Sequence, residues 1–456
     1  MSPKPSTTSV PSISCPPDKS ITHRVLFFAA MAKGRSRVAR PLISGDTRAT
    51  MNCLASLGVR FHESSDGVEI ESPGIAGWHR RPSAPLYAGN SGTTARFLAG
   101  VLSACPGMEA VITGDASLSR RPMRRVLDLL EQAGAAGTAS DTLPVAIHGR
   151  NLSAFDVKSP HGSAQVKTAM ILAALTCDGV SRVTLPDGSR NHTEILCAKL
   201  GLPVTASRSG GVETVTIDGP AEIKPFDVTV PGDPSSAAFI VAAALLTGTG
   251  VTIRGVCGNP LRSAFLDVLE QAGVVVRRTP VASHEFTEPV EDWFIDPAVA
   301  TRGGFRPAGE IPAAWVPAII DEIPVLATIL AFAPGASLFR GVGELRVKES
   351  DRLAGTIRLL EAAGCAARAI GDDLEIAGGL TPGSLKPFEF DPAGDHRLAM
   401  AAMVLEMVLD LGAQKKCTIS DRSCVEVSFP DFPAVLTSLQ TSAQPTSAAR
   451  KRGILP

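Results

Sequence analysis

Charged and hydroxyl side chains recur in short clusters that stand directly before apolar, helix-like stretches of this chain. The first cluster, in DKSITHRV, contains Lys19, Ser20 and Arg24. In a helix, Ser20 and Arg24 lie one turn apart and share a face. The N-terminus of a helix presents unpaired N–H groups and the positive end of the helix dipole, so it binds phosphates and carboxylates readily. A capped, solvated helix start is the alternative interpretation of this cluster alone.

Further clusters of this kind follow. GNSGTTAR contains Gly92, where the missing side chain permits close approach of a ligand, although ordinary turns look the same. Downstream, Arg121 precedes Pro122, a proline that fits the first turn of a helix and would place Arg121 near the helix N-terminus. The later clusters contribute, in chain order, Ser163 and Gln165, then Asp321 beside Glu322, then Lys348, Glu349 and Arg352, and last Arg397.

Together these clusters predict a site for anionic ligands. Arginine forks match carboxylate and phosphate oxygens bidentately, so several cations that meet two or three carboxylates suit two anionic substrates. Asp321 and Glu349 then offer groups for acid and base catalysis. Taken singly, SRRPMRRV could be a basic face and LRVKESDRL a solvated charge run. The histidines are isolated and no spacing is typical of a zinc site, so we expect no metal.

The elements that must carry these clusters form a sixfold repeat. Each copy has a polar start, an apolar helix rich in small residues, a glycine and a β-branched run, and in most copies a second helix ends at a Gly. The copies begin at Asp18, Gly89, Gly162, Gly232, Asp321 and Gly394. One copy cannot bury its own helices. We therefore predict an α/β (α+β) fold with two domains of three copies each.

The domain boundaries follow from the order of the copies. Residues 18–231 would form one domain, and residues 1–17 with 232–440 the other, with the switch near Val230 to Pro234. The strand VPSIS would join the second domain. The polar segment 441–456 is expected to be a disordered tail.

Composition excludes several classes of protein. The chain has 456 residues, a net charge of −1 and 5% aromatic residues with one tyrosine, which is not typical of a nucleic-acid binder. Its nine scattered cysteines include no CxxC pair and indicate free buried thiols in a reducing compartment. No signal-peptide pattern is present, and the longest apolar run, Ala237 to Leu246, is about half a membrane span. We expect a soluble cytoplasmic protein.

Eight motifs in order resemble the signatures of 5-enolpyruvylshikimate-3-phosphate (EPSP) synthases, over about residues 10 to 435: DKSITHR, GNSGTTAR, RPM, SAQVKTA, VPGDPSSAAF, DEIPVLA, LRVKESDRL and GDHRLAM. The resemblance implies two domains of three βαβαββ units, with crossings near Pro17 and Gly232. It also implies transfer of enolpyruvate from phosphoenolpyruvate to the 5-hydroxyl of shikimate 3-phosphate, with release of phosphate. This is a step of aromatic amino acid biosynthesis by the shikimate pathway, which leads to chorismate, and it is the target of glyphosate. No cofactor is implied, and we expect a monomer.

The resemblance also assigns the site residues. Asp321 would take the proton from the 5-hydroxyl, Glu349 would protonate the methylene carbon of phosphoenolpyruvate, and Lys19 would contact both substrates. Shikimate 3-phosphate would meet Lys19, Ser20, Arg24, Ser163, Ala164, Gln165, Arg190, Asp321 and Lys348. Phosphoenolpyruvate would meet Lys19, Gly92, Arg121, Gln165, Arg352 and Arg397.

Two positions depart from the family pattern. A lysine near the C-terminus often contacts phosphoenolpyruvate in the family, and Ser423 is aligned with it here, with Arg422 or Lys416 as candidate substitutes. Pro17 stands where a glycine is usual. Two alternatives remain open. One is a UDP-N-acetylglucosamine enolpyruvyl transferase, which uses a reactive cysteine in a loop; the segment around Cys105, SACPG, matches that loop poorly. The other is a non-catalytic phosphate-ligand binding protein on the same fold.

Overall fold

Strands and helices alternate through the part of the chain that the computed structural model describes, residues 10–282, 285–296, 305–413 and 416–443. The first half contains the strands β1 (Ser12–Ser14), β2 (Lys33–Ala39), β3 (Arg60–Ser64), β4 (Gly67–Pro73), β5 (Leu86–Tyr87), β6 (Glu109–Thr113), β7 (Val145–His148), β8 (Asp156–Lys158), β9 (Gly179–Pro186), β10 (Val204–Ser209), β11 (Val212–Gly219) and β12 (Asp227–Thr229). Its helices are α1 (Lys19–Met31), α2 (Gly45–Ser56), α3 (Gly92–Ser103), α4 (Arg124–Gln132), α5 (Ala164–Ala174) and α6 (His192–Lys199).

The second half repeats this alternation. Its strands are β13 (Val251–Cys257), β14 (Arg277–Val281), β15 (Val290–Ile295), β16 (Gly309–Ile311), β17 (Ser337–Phe339), β18 (Ala367–Ile370), β19 (Asp373–Ile376), β20 (Glu389–Phe390) and β21 (Thr418–Ile419). Its helices are α7 (Pro234–Thr247), α8 (Pro260–Ser263), α9 (Phe265–Gln271), α10 (Val316–Ile319), α11 (Ile323–Leu330), α12 (Arg352–Ala363), α13 (His396–Ala413) and α14 (Phe432–Ala443).

The described strands form six small sheets, one for each sequence repeat. Their orders are β12-β2-β4-β3, β5-β6-β7, β10-β11-β9-β8, β1-β13-β15-β14, β16-β17-β19-β18 and β20-β21. The mixed α/β architecture predicted from the repeats is therefore confirmed. Two pairings join parts of the chain that are far apart in sequence: β12 lies parallel to β2, and β1 lies parallel to β13, with Ser12 opposite Thr252.

Two hydrophobic cores lie on either side of the β12–α7 connection. The first runs from Ile21 to Val230 and also includes Cys257, and the second combines Cys15 with residues from Ala237 to Leu439. In the first core α3 packs between α1 and α5, and in the second α7, α11 and α13 pack on one another. The segment Ala237 to Leu246 lies inside the buried helix α7, as its composition predicted.

The two chain segments that join these cores lie side by side. An isolated antiparallel bridge pairs Pro17 with Gly232. The Asp18 N–H donates to the Pro231 carbonyl at 2.8 Å, and the Asp233 N–H donates to the Pro16 carbonyl at 2.7 Å. The two positions at which crossings were predicted, Pro17 and Gly232, are paired in this bridge.

Side-chain caps explain where the long helices begin. The Asp18 carboxylate accepts from the Ile21 N–H at 2.8 Å, the Ser91 hydroxyl from the Thr94 N–H at 3.1 Å, and the Asp233 carboxylate from the Ser235 N–H at 2.8 Å. Each cap satisfies an N–H that has no partner inside its helix. The polar residues of the clusters are therefore part of the helix starts.

Two sequence-based details need comment. Pro122 is not in the first turn of a helix, because α4 begins at Arg124 and Arg121 closes a 3-10 turn at Leu118–Arg120 in extended conformation. A proline disfavours helical geometry in the residue before it, which accounts for the extended conformation of Arg121. In the expected tail, residues 441–443 belong to α14, and residues 444–456 lie outside the described residues.

No single helix in the described ranges is long and apolar enough to cross a membrane. One bent pair, Ala313–Ile319 with Ile323–Leu330, passes that test by length and composition only, with an angle of 112° between its halves.

Candidate active site

The N-termini of six buried helices meet at one cavity of about 370 Å³ between the two cores. Helices α1, α3 and α5 present Lys19, Gly92 and Ala164 from the first core. Residues at the starts of α7, α11 and α13 line it from the second core: Asp233, Asp321 and Arg397. The helix dipoles therefore add to the attraction that the side chains exert on anions.

The cavity carries more cations than acids. Among the described residues that line it are nine Lys or Arg and six Asp or Glu side chains. Burial lowers the pKa of Arg24 to about 10, although Glu194 and Asp18 act in the opposite direction. Burial likewise lowers the pKa of Arg96 to about 10, assisted by Arg121 and Arg125. Because burial disfavours the charged form of these two guanidinium groups, an anion that binds beside them would stabilise that form.

Lys19 and Arg24 both lie on α1, and each is held by different partners. The Lys19 ammonium pairs with Asp46 at 2.8 Å. The Arg24 guanidinium donates to Thr193 at 2.8 Å, to Thr168 at 3.0 Å and to the Ser20 carbonyl at 2.8 Å. The contact with Ser20 confirms that these residues share one face of the helix. The Arg24 fork is thus fixed by α5 and α6 before any ligand arrives.

The starts of α3 and α5 are joined around Gly92. Arg96 donates to the Gln165 carbonyl oxygen at 2.8 Å, and the Gln165 amide donates to Thr93 at 2.8 Å. Arg121 donates to the Asn90 side chain at 2.6 Å and to Ser117 at 3.1 Å. These bonds place two guanidinium groups and one amide beside the bare Gly92 backbone.

Asp321 lies among cations from both cores. Its carboxylate pairs with Arg190 at 2.8 Å and with Arg352 at 3.2 Å, and its carbonyl accepts from Arg397 at 2.9 Å. Burial raises the pKa of Asp321, but Arg190, Arg397, Lys348 and Arg352 together outweigh burial and hold that pKa well below its usual range. The carboxylate is therefore ionised and able to accept a proton.

Glu349 is the second carboxylate of the cavity. It pairs with Arg352 at 2.5 Å, and its backbone carbonyl accepts from Ser117 of the first core at 3.0 Å. Burial raises the pKa of Glu349, while Arg352, Arg121, His396 and Lys19 lower it further than burial raises it. Ligand anions that neutralise these cations would raise the pKa again, as a proton donor requires.

The cavity brings together the residues that the sequence assigned to it, apart from one. The following line it: Lys19, Ser20, Arg24, Gly92, Arg121, Ser163, Ala164, Gln165, Arg190, Asp321, Lys348, Glu349 and Arg397. Arg352 does not line it. Arg352 lies behind the wall with 1% of its side chain exposed, and it joins Asp321, Glu349 and Asp395. In this structure the Arg352 guanidinium holds these three carboxylates in position.

Several lining residues were not assigned from the sequence. Arg96 belongs to the cluster GNSGTTAR and Arg125 to SRRPMRRV, and both line the cavity. The spacing of residues along the chain does not show where their side chains point. Asp46, at the start of α2, and Glu344, in the 3-10 helix Gly343–Val347, belong to no apolar helix of the repeat. Asp46 follows the capping residue Ser44 in SGDTRAT, a helix-start pattern that could have indicated it.

The candidate substitutes for the missing lysine lie elsewhere. Arg422 forms a pair with Glu406 at 2.5 Å, Ser423 donates to Asp421 at 2.9 Å, and Lys416 is exposed. None of the three is among the described residues that line the cavity. From the same segment, the Val427 side chain lies close to Gly45, next to Asp46.

Thiols and metal ligands contribute nothing to the described site. All nine cysteines are free; eight are buried and Cys424 is half-buried. Burial raises the pKa of Cys105 to about 11, which opposes a reactive thiolate there. Within the described ranges no three His, Cys, Asp or Glu side chains are grouped to hold a metal ion.

The cavity lies between six helix starts, three from each of two similar halves, and the fold matches solved structures of enolpyruvyl transferases. The enolpyruvyl transferase NikO from Streptomyces tendae shares this fold at 17% identity, with a TM-score of 0.69 over 95% of this chain and 94% of that chain. An EPSP synthase structure from Acinetobacter baumannii matches at 32% identity, with a TM-score of 0.77 over 94% and 97% of the two chains.

Sequence comparison narrows this class to one family. The model of the EPSP synthase (3-phosphoshikimate 1-carboxyvinyltransferase) family matches residues 4–436. The 3-phosphoshikimate 1-carboxyvinyltransferase of Acidiphilium cryptum is 40% identical over 94% of both chains. That of Gluconobacter oxydans is 41% identical over 94% of this chain and 95% of its own. The chain belongs to the EPSP synthase family.

Proposed function

We propose that this chain transfers the enolpyruvyl group of phosphoenolpyruvate to the 5-hydroxyl of shikimate 3-phosphate in the cavity between its two cores. The observation that carries the proposal is the Asp321 carboxylate at the head of α11, which pairs with Arg190 and Arg352 and lies 4.0 Å from Arg397. Family membership supports the reaction and both substrates. We further propose that the protein is a cytoplasmic monomer that binds no nucleic acid.

The proposed chemistry divides between two carboxylates. Asp321 takes the proton of the 5-hydroxyl, and Glu349 donates a proton to the methylene carbon of phosphoenolpyruvate. The hydroxyl oxygen bonds to C2, which gives a tetrahedral adduct. Glu349, which has given up its proton, then takes a proton from the methyl group, and the double bond re-forms as the C2–O bond to phosphate breaks. Lys19, Arg121 and Arg397 stabilise the charge that moves onto the departing phosphate.

The ligand contacts are proposed as follows. Arg24, Arg190 and Lys348 bind shikimate 3-phosphate together with Ser20, Ser163, Ala164 and Gln165. Phosphoenolpyruvate lies against Gly92, Arg121 and Gln165. Arg352 acts on it from behind, through Glu349 and Asp321, because its own side chain is buried.

One assay tests the function. Phosphate release should require phosphoenolpyruvate and shikimate 3-phosphate together, and mass spectrometry should find shikimate 3-phosphate enlarged by one enolpyruvyl group. UDP-N-acetylglucosamine should not replace shikimate 3-phosphate, since the buried Cys105 offers no reactive thiolate. Binding of shikimate 3-phosphate without turnover would favour the non-catalytic alternative.

Asp321→Asn tests the proposed base. The amide keeps the shape of the side chain but cannot accept the hydroxyl proton. We expect kcat to fall by about a hundredfold or more, while the dissociation constant of shikimate 3-phosphate stays within about threefold. Near-normal turnover would remove Asp321 from the mechanism.

A further inference from the structure

A buried lysine outside the cavity joins three elements of the third repeat. The Lys167 side chain on α5 is 0% exposed, and its ammonium lies 2.5 Å from Glu194 on α6 and 2.6 Å from Glu213 on β11. The Glu213 side chain is also 0% exposed. A charge buried this deeply is stable only with close partners, so these contacts are strongly constrained.

Glu213 also holds the loop between β9 and α6 in place. Its carboxylate accepts from the Ser189 hydroxyl at 3.2 Å and from Arg208 at 3.0 Å. Arg208 also pairs with Asp187 at 3.0 Å. The loop is thus attached at Asp187 and at Ser189, immediately before Arg190, which reaches Asp321 across the cavity.

Glu194 is connected to Arg24 through the two helices α5 and α6. The Lys167–Glu194 pair ties α5 to α6, and these helices supply the hydroxyls of Thr168 and Thr193. The two hydroxyls bond to each other at 2.6 Å, and both accept from the Arg24 guanidinium. A shift between α5 and α6 would therefore move the Arg24 fork.

We propose that Lys167 is a positioning residue that sets the geometry of Arg24 and Arg190, the two arginines assigned to shikimate 3-phosphate. This inference rests on the function proposed above. Without the ammonium, two buried carboxylates face each other and repel, so the loop and α6 lose their common anchor. Arg121 and Arg397, on the phosphoenolpyruvate side, have no bond to this cluster among the described contacts.

The test is the kinetics of Lys167→Met, which keeps the length of the side chain and removes its charge. We expect the KM for shikimate 3-phosphate to rise about tenfold or more, and the KM for phosphoenolpyruvate at saturating shikimate 3-phosphate to change by less than about threefold. In Lys167→Met/Glu194→Gln one of the two repelling carboxylates is neutral, so part of the affinity for shikimate 3-phosphate should return. Equal changes in both KM values, or a lower melting temperature with unchanged kinetics, would overturn the proposal.

A second variant keeps the proposal testable if Lys167→Met does not fold. Arg208 is 41% exposed, so Arg208→Leu should fold, yet it removes the link between Glu213 and Asp187. We expect a rise of about threefold in the KM for shikimate 3-phosphate alone. Arg60→Leu is the matched control, since it breaks an exposed pair with Glu71 on another sheet. Identical kinetics in the two variants would refute the loop anchor, whereas a wild-type protein inert toward shikimate 3-phosphate would refute the function itself.

Discussion

The space beside Gly92 is filled by the end of the Arg96 side chain. A Cβ added at Gly92 would lie 2.5 Å from Arg96 Nη1 and 3.7 Å from Arg121 Nη1. The Arg96 guanidinium is itself bonded to Gln165 and to the Pro122 carbonyl. A methyl group here would displace Arg96 from Gln165 as well as narrow the cavity.

Gly92→Ala should therefore act on both phosphoenolpyruvate and glyphosate, and more strongly on the longer glyphosate. A methyl group forced into a tight site costs about 1–3 kcal/mol, so glyphosate inhibition should weaken by roughly ten- to a hundredfold. The KM for phosphoenolpyruvate should rise less. The informative quantity is the inhibition constant divided by this KM; no increase in the variant would show that Gly92 does not border the inhibitor.

Asp321 should also contribute to stability, because it neutralises cations that otherwise repel one another. Its folded pKa lies well below its usual range, so the contribution is complete above about pH 4 and is lost as pH falls through the folded value. We expect Asp321→Asn to melt several degrees lower from pH 5 to 8, with the difference shrinking in acid. The exposed Asp218→Asn is the control. A difference independent of pH would contradict the assigned ionisation.

Most of the residues that were assigned from the sequence line the cavity, because helix starts can be recognised from local sequence. Lys19, Gly92, Ser163 and Asp321 are recognisable as caps or first-turn residues. Arg352 was assigned to the ligand but lies behind the wall, because buried Asp395 and the cavity-lining Glu349 both pair with its guanidinium. Spacing along a helix gives the position of a side chain and not its partner from a distant repeat.

At the scale of elements, α3 and α5 touch backbone to backbone. A Cβ at Gly100 would lie 2.3 Å from the Ala169 carbonyl oxygen and 2.8 Å from its Cα. The small residues noted in the repeats therefore permit contact between helices, which a single sequence shows as composition only. Since Gly92 and Gln165 lie at the starts of these helices, their separation depends on this contact.

Gly100→Ala should push α3 and α5 apart. We expect a loss of about 1–3 kcal/mol in unfolding free energy from overpacking, with a parallel rise in the KM for phosphoenolpyruvate. Chemical denaturation measures the first and steady-state kinetics the second. Gly137→Ala is the control, because only the Glu131 carboxylate lies near it, at 3.8 Å. Unchanged stability in Gly100→Ala would mean that the helices can separate freely.

At the scale of the whole molecule, polar contacts close the cavity from both sides. Arg190 pairs with Asp321 at 2.8 Å, Arg125 approaches Glu344 at 3.6 Å, and Ser117 donates to the Glu349 carbonyl at 3.0 Å. Opposite these contacts, the bridge between Pro17 and Gly232 joins the two cores. We expect one core to rotate against the other about this bridge.

The excess of cations in the cavity opposes closure until an anion arrives, so we expect the ligand-free protein to open in solution. Shikimate 3-phosphate supplies a phosphate and a carboxylate to Arg24, Arg190 and Lys348, which removes the repulsion and draws the cores together. Small-angle scattering should show a smaller radius of gyration at saturating shikimate 3-phosphate. Shikimate, which lacks the phosphate, is the matched control and should leave the radius larger. If shikimate 3-phosphate does not reduce the radius, then charge neutralisation does not drive closure about this bridge.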